Sequence, residues 1–226
     1  MGGPGRAGPG WEVSHLAGPA SSLLATPLPG GRQLRFCRVS RPALVLGRAQ
    51  PEEHVDRGRA SARGVEVARR PSGGGAVLVR PGEVLWADLG LERHDPLWSD
   101  LVDRAAAWVG GWWSAALADL GLGPLSVHRG PMASTPWSAW ACFSGRGPGE
   151  VSLAGAKVVG IAQRRSPRRA LFQCACLLAW EPWALVELLR LDPDGRQRAA
   201  LALASEARGT GLDPGALEAA LVRRLP

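Results

Sequence analysis

Three consecutive glycines, Gly73, Gly74 and Gly75, stand between two β-type runs at residues 64–68 and 76–79. Glycine loses more conformational freedom than any other residue when a regular element forms, so the triplet predicts a loop between strands. Such a loop is useful where backbone must approach a ligand or another chain segment more closely than a side chain permits. Arg69, Arg70, Pro71 and Ser72 precede it and add two guanidinium groups. A backbone-lined slot flanked by cations suits an elongated ligand with a carbonyl or phosphate at one end. An ordinary glycine-rich hairpin is the competing reading. The stretch is not a P-loop, because no Gly-Lys-Ser/Thr follows.

Around this loop the chain alternates short β-type runs with Gly and Pro breaks. Residues 34–39 and 43–46 read as strands parted by Arg41-Pro42, and 76–79 and 83–89 as strands joined at Pro81-Gly82. Residues 125–129, 137–143, 151–153, 157–164 and 170–179 continue the strand pattern. Helical spacing is weak over 10–25, present over 52–63 behind Pro51, and long over 96–120, with Asp95 as N-cap and Gly110-Gly111 as an interruption. Trp108 and Trp112 fall on the apolar stripe of that helix, which is the place of core residues. Residues 183–191, 194–206 and 214–225 are helical, the last two started by Asp192-Pro193 and Asp213-Pro214. Residues 1–10 are mostly Gly and Pro and predict a tail; 11–226 suffice for one domain with a sizeable core.

The 27 Lys and Arg against 20 Asp and Glu give a net charge of +7, which favours acidic partners. The dense run Arg164, Arg165, Arg168 and Arg169 has no interleaved aromatic residues, which argues against a nucleic-acid groove and for a protein partner. No basic start followed by an apolar run marks a secretory signal, and no run of about eighteen apolar residues marks a membrane span, so a cytoplasmic protein is expected. Cys37, Cys142, Cys174 and Cys176 form no regular framework and are expected as free thiols. Cys174 and Cys176 share one face of a β-type run, and His15, His54, His94 and His128 make no cluster with them, so core packing is preferred to a metal site.

Among the 27 cationic residues only Lys157 is a lysine. Where a solvated charge suffices, arginine serves. A compact ammonium on a flexible stem is a different chemical tool, and its retention at one position marks a functional residue. It sits in Gly155-x-Lys157-x-x-Gly160-x-Ala162-Gln163.

That segment, together with the stretch from Arg69 to Val77 and the earlier Pro42-Ala43-Leu44-Val45-Leu46-Gly47, resembles the signature segments of the lipoate-protein ligase and octanoyltransferase family, whose catalytic domain is shared with biotin ligases. The likeness covers roughly residues 35–190. It implies an α+β domain with a central mixed β-sheet flanked by helices. Gly73, Gly74 and Gly75 would wall an acyl tunnel, with Arg69, Arg70, Ser72, Gly155, Gly160, Ala162 and Gln163 as further substrate-binding residues, and Lys157 would hold the acyl carbonyl. An ammonium there can stabilise an oxyanion.

Two chemistries stay open within the family. Transferases take an octanoyl or lipoyl group from a thioester such as acyl carrier protein, through a cysteine and without a cofactor. Ligases activate free lipoate with ATP and Mg. Cys142-Phe143, fifteen residues before Lys157, is similar to the nucleophile of one transferase branch, and a cationic neighbour favours the reactive thiolate. Bacterial-type ligases usually carry a C-terminal domain for which this chain leaves little room, which also favours transfer. Ser144 and Gly145 depart from that branch, which often has an acidic residue two positions after the cysteine. In either chemistry the acceptor is a lysine on an acidic lipoyl domain of a 2-oxoacid dehydrogenase or of the glycine cleavage protein, and Arg164 to Arg169 would form a docking patch. A module that binds lipoyl domains without turnover is the third reading.

Overall fold

The computed structural model describes residues 10–226, so the tail expected over 1–10 lies, apart from Gly10, outside the described residues. Among them the order is β1 (Trp11–Gly18), α1 (Ala20–Ala25), β2 (Arg32–Val39), β3 (Ala43–Leu46), a 3₁₀ turn (Glu52–His54), α2 (Arg57–Ala62), β4 (Glu66–Arg69), β5 (Val77–Val79) and β6 (Val84–Glu92). Then follow α3 (Val102–Asp119), β7 (Leu125–Val127), β8 (Val151–Leu153), β9 (Ala156–Arg165), β10 (Arg169–Leu177), α4 (Pro182–Val186), α5 (Pro193–Glu206) and α6 (Pro214–Arg223).

The strands form a seven-stranded sheet, β1-β2-β6-β10-β9-β8-β7, and a three-stranded sheet, β4-β3-β5. In the larger sheet β1 and β2 run parallel and every other neighbour is antiparallel. In the smaller one β3 is parallel to β4 and antiparallel to β5. Mixed sheets with flanking helices match the fold expected from the sequence.

Period-two alternation decides how the layers stack. On β6, Leu85, Ala87, Leu89 and Leu91 face Trp112, Trp113 and Leu117 of α3 and Leu217 and Leu221 of α6. Trp86 falls on the opposite face and meets Val45, Val77 and Val79 of the small sheet. Those strands turn Leu44, Leu46 and Leu78 the other way, onto Ala60, Leu185, Val186 and Leu203. The result is helices, large sheet, small sheet, helices. Each fully buried leucine in these layers contributes roughly 1.5–3 kcal/mol over an exposed one. No helix among the described residues is long and apolar enough to cross a membrane.

Several elements differ from the sequence reading. Residues 11–18 are a strand, because pairing along β2 from Trp11↔Arg32 to Gly18↔Val39 outweighs a weak helical propensity, and the helix starts only after Pro19. The long helix begins at Val102 rather than Pro96; the Asp95 carboxylate instead accepts from Arg32 and from the Leu97 amide in a turn. Gly110 and Gly111 leave that helix unbroken. Residues 137–143 form successive turns, with only Ala141 bridging Ala76, because Trp137, Trp140 and Ala141 gain burial by packing on the third cluster instead of pairing. The helix expected over 183–191 ends at Val186, beyond which tighter turns carry Leu189 to a bridge with Val55. The Asp192 and Asp213 caps are present, each carboxylate accepting from an amide of the first turn.

Candidate active site

The space between the two sheets is the candidate site. A narrow apolar cleft of about 50 Å³ opens there, with Val45, Val77, Val79, Trp86, Gly160, Ala162 and Cys142 among its walls. Gly160 and Ala162 belong to β9, so small residues on the larger sheet leave the room that the small sheet's valines border.

The glycine loop meets the nucleophile candidate through backbone. The Ala76 amide donates to the Trp140 carbonyl and the Cys142 amide to the Ala76 carbonyl, at 2.9 and 2.8 Å. A Cβ on Gly75 would lie 2.6 Å from the Ala141 nitrogen, and one on Gly47 would lie 1.8 Å from the Gly74 carbonyl oxygen, so these contacts admit no side chain. Gly74 has φ +94°, and a Cβ there would stand 3.8 Å from Cys142 Sγ. Gly73 has open space around it.

Arg70 is buried and donates to the carbonyls of Val45, Gly73 and Gly75 at 3.1, 2.7 and 2.9 Å. It therefore shapes the loop from inside and also lines the cleft. Arg69 points elsewhere: its guanidinium holds the carbonyls of Gly47, Arg48 and Gln50 and pairs with Glu52. The expectation of two guanidinium groups flanking a slot is thus corrected to one buried clamp and one outer brace. Ser72 Oγ donates to Gln173 Oε1 at 3.0 Å, tying the loop to β10. Gln163 donates to the Val102 carbonyl, away from the cleft, while Gly155 sits in the β8–β9 turn with its carbonyl accepting from Arg146. Neither borders the apolar cleft.

Lys157 is only 1% exposed. Its Nζ donates to the Cys142 carbonyl at 2.8 Å and to the Gly145 carbonyl at 3.4 Å, and pairs with Glu150 Oε2 at 2.6 Å. The three donors of an ammonium are all used. The Phe143 ring centroid lies 5.2 Å away, within cation–π range. Lysine and cysteine are thus joined through the cysteine's backbone carbonyl, and of the two only Cys142 borders the cleft.

Glu150 escaped the sequence reading. It immediately precedes β8, accepts from the Gly147 and Ile161 amides, and is the counter-ion of Lys157. The only signal was a carboxylate just ahead of a β-type run that leads to the one lysine. Glu206 was also missed: its Oε2 accepts from Ser144 Oγ at 2.6 Å and from the Gly145 amide at 3.2 Å, bracing the turn after Cys142.

The four cysteines are free thiols, and they differ in reactivity. Burial pushes Cys37 and Cys176 up to about 12, with the Asp88 carboxylate adding to the effect at Cys37, and burial lifts Cys174 still further. Cys142 alone is incompletely buried. Among the described residues no group of three or more His, Cys, Asp and Glu could hold a metal.

The family model of the lipoyl protein ligase A/B catalytic domain matches residues 22–209. The chain belongs to this family. Octanoyltransferase LipM of Carboxydothermus hydrogenoformans is 34% identical over 138 residues, which are 60% of this chain and 49% of that protein. The chain thus spans about half the length of this relative. A chain from the structure of a bi-partite lipoate protein ligase and its E2 lipoyl domain, from Thermoplasma acidophilum, superposes with a TM-score of 0.71 at 19% identity, covering 94% of this chain and 80% of that one. Lipoate-protein ligase A bound with ATP superposes at 0.69 and 20%, covering 94% and 82%. At such identities the structural likeness is one of fold, and it agrees with family membership.

Proposed function

We propose that the chain transfers an octanoyl or lipoyl group from a thioester donor to a lysine of a lipoyl domain through an acyl-enzyme on Cys142. The observation that carries this reading is that the one cysteine not sealed by burial borders the apolar cleft and has its carbonyl held by the only lysine. The likeness to an octanoyltransferase supports the reaction type, and the E2 lipoyl domain that accompanies the Thermoplasma ligase supports the acceptor.

In the first step the Cys142 thiol gives up its proton, the thiolate attacks the donor's acyl carbonyl, a new S–acyl bond forms, the donor's C–S bond breaks, and the leaving sulfur takes up the proton that Cys142 released. In the second the acceptor amine attacks the acyl-enzyme, the amide forms, the C–S bond breaks and the amine's proton passes to the Cys142 sulfur. Of the Lys157 contacts the one to the Gly145 carbonyl is longest, and an oxyanion on the acyl carbonyl replaces it most easily. Acyl carrier protein is the proposed donor, and the arginine run of 164–169 offers an acidic partner a docking patch.

In the ATP-dependent alternative Arg70 would face phosphate, but here its guanidinium is already engaged by three carbonyls, so transfer is preferred. Incubated with octanoyl acyl carrier protein, the wild type is expected to gain the mass of one octanoyl group and Cys142→Ala none. Lipoylation that requires ATP and survives in Cys142→Ala would replace this reading with the ligase. Lipoyl-domain binding that persists in Lys157→Ala, with no turnover by the wild type, would replace it with a binding module.

A further inference from the structure

Gly155, which has no place in the apolar cleft, borders a separate pocket of about 280 Å³, together with Ser126, His128, Arg129, Arg146 and Ser152. Strand register fixes where this pocket lies. Ser126 pairs with Ser152 and Ser152 with Lys157, so the three stand in one row across β7, β8 and β9. Leu125, Val127, Val151 and Leu153 pack in the cluster of α3, which leaves Ser126 and Ser152 on the opposite face of the sheet. Lys157 reaches the Cys142 carbonyl on that same face. Neighbouring strands lie about 4.7–4.9 Å apart, so the row from Lys157 to Ser126 is about 10 Å long.

The pocket is cationic and held in shape. Among the described residues no carboxylate borders it. The Arg146 backbone exchanges two hydrogen bonds with Ala133, at 2.8 and 2.9 Å. Its guanidinium donates through Nε to Ser152 Oγ at 3.2 Å and through Nη2 to the Gly155 carbonyl, which leaves Nη1 for a ligand. His128 is pinned in the same way: its amide donates to the Glu150 carbonyl at 2.9 Å, and its carbonyl accepts from the Gly149 amide at 2.7 Å. Arg129 is exposed, and its side chain makes no hydrogen bond or ion pair among the described residues. The neighbouring carboxylates are engaged elsewhere, Glu150 with Lys157 and Glu206 with the turn at Ser144 and Gly145. One guanidinium already in position and a second without a partner suit a phosphate, which accepts charge-assisted hydrogen bonds from both.

We propose that this pocket is a phosphate subsite, and that it takes the phosphate of a phosphopantetheine arm whose thioester lies at Cys142. This rests on the thioester reading of Cys142 given above. Cys142 and Arg146 stand at the two ends of one turn, and four residues of chain span at most about 13–14 Å. About thirteen bonds separate the sulfur of such an arm from its phosphorus, roughly the backbone count of four residues, so the arm is long enough to cross the turn. The acyl chain and the arm thus leave the sulfur in different directions, one into the apolar cleft and the other toward β7.

Calorimetric titration of the wild type with pantetheine and 4′-phosphopantetheine, under reducing conditions, reads the subsite without any acyl group. The phosphorylated compound is expected to bind roughly tenfold more tightly, in keeping with charge-assisted bonds. Arg129→Ala removes an exposed side chain without a partner and is expected to erase most of that preference, as is Arg146→Ala. Arg223→Ala, an equal loss of charge on α6, is expected to retain it. Equal binding of the two compounds, or a preference that survives in both Arg129→Ala and Arg146→Ala, overturns the subsite. A second measurement follows the rate at which Cys142 gains octanoyl mass from octanoyl-pantetheine and from octanoyl-4′-phosphopantetheine. The phosphorylated donor is expected to acylate faster at low concentration, and Arg129→Ala to abolish the difference. A preference in binding with no such gain in acylation overturns the assignment to the donor's phosphate. If neither donor acylates the wild type while the Arg129-dependent preference in binding persists, the thioester reading fails and the phosphate subsite stands.

Discussion

Glu150→Gln is expected to lower the stability of the fold by about 3–5 kcal/mol and to slow acyl transfer far more than the change in shape would suggest. Glutamine keeps the volume, but its single carbonyl oxygen can accept from only one of the Gly147 and Ile161 amides, which donate to different oxygens of the carboxylate. It removes the counter-ion 2.6 Å from an ammonium that is 1% exposed, and leaves that charge facing carbonyl dipoles alone. Lys157 then has reason to leave the Cys142 and Gly145 carbonyls, and the turn that carries Cys142 loses its anchor. Denaturant unfolding checks the first half of this prediction. The double variant Glu150→Gln/Lys157→Met separates the halves: removing both charges should restore much of the lost stability while transfer stays absent. A double variant no more stable than Glu150→Gln would mean that the glutamate acts through packing rather than charge.

Gly110→Ala and Gly111→Ala are expected to change stability in opposite directions, although the two glycines are adjacent in one helix. A Cβ on Gly110 would fall 1.9 Å from the Gly149 carbonyl oxygen, and Gly149 approaches α3 in return, where its own Cβ would lie 2.2 Å from the Ala106 carbonyl oxygen. Backbone rests on backbone, and the residue after Gly149 is Glu150. Gly110→Ala must push that loop away, at a cost of about 1–3 kcal/mol or more for overpacking, and it displaces the partner of Lys157 with it. Gly111 has nothing within 4 Å of an added Cβ. Alanine there is expected to add about 0.5–1 kcal/mol, the usual gain for Gly→Ala inside a helix. Thermal unfolding of the two variants beside the wild type checks the sign, and loss of octanoyl transfer in Gly110→Ala alone checks the link to the site.

These two glycines show where sequence reasoning stops. As a pair they look like a weakness in a helix; only the fold reveals that one is pressed against the loop that leads into Glu150 and the other faces solvent. The strands at 34–39, 43–46 and 151–153 are readable because alternation and Gly or Pro breaks are local signals. Lys157 is readable because every other cation is arginine, and Cys142 because Cys142-Phe143 ahead of that lysine resembles the nucleophile of one transferase branch. Glu150 is not, because its pairing depends on β8 and β9 folding back on each other. The role of Arg70 is hidden for a similar reason: what it clamps, the carbonyls of β3 and of its own loop, is fixed by tertiary geometry. Residues 11–18 mislead because an edge strand draws its stability from a neighbour distant in sequence.

The near-complete replacement of lysine by arginine has a further consequence for a protein proposed to modify side-chain amines. The sole ε-amine in the chain is walled in and occupied, so the molecule presents no bystander lysine that could be acylated in place of its target. Treated with an amine-directed ester, the native protein should therefore remain unlabelled at position 157, and labelling there should appear only on unfolding. On the proposed reading, such immunity to self-modification lets a reactive thioester be held without risk to its holder.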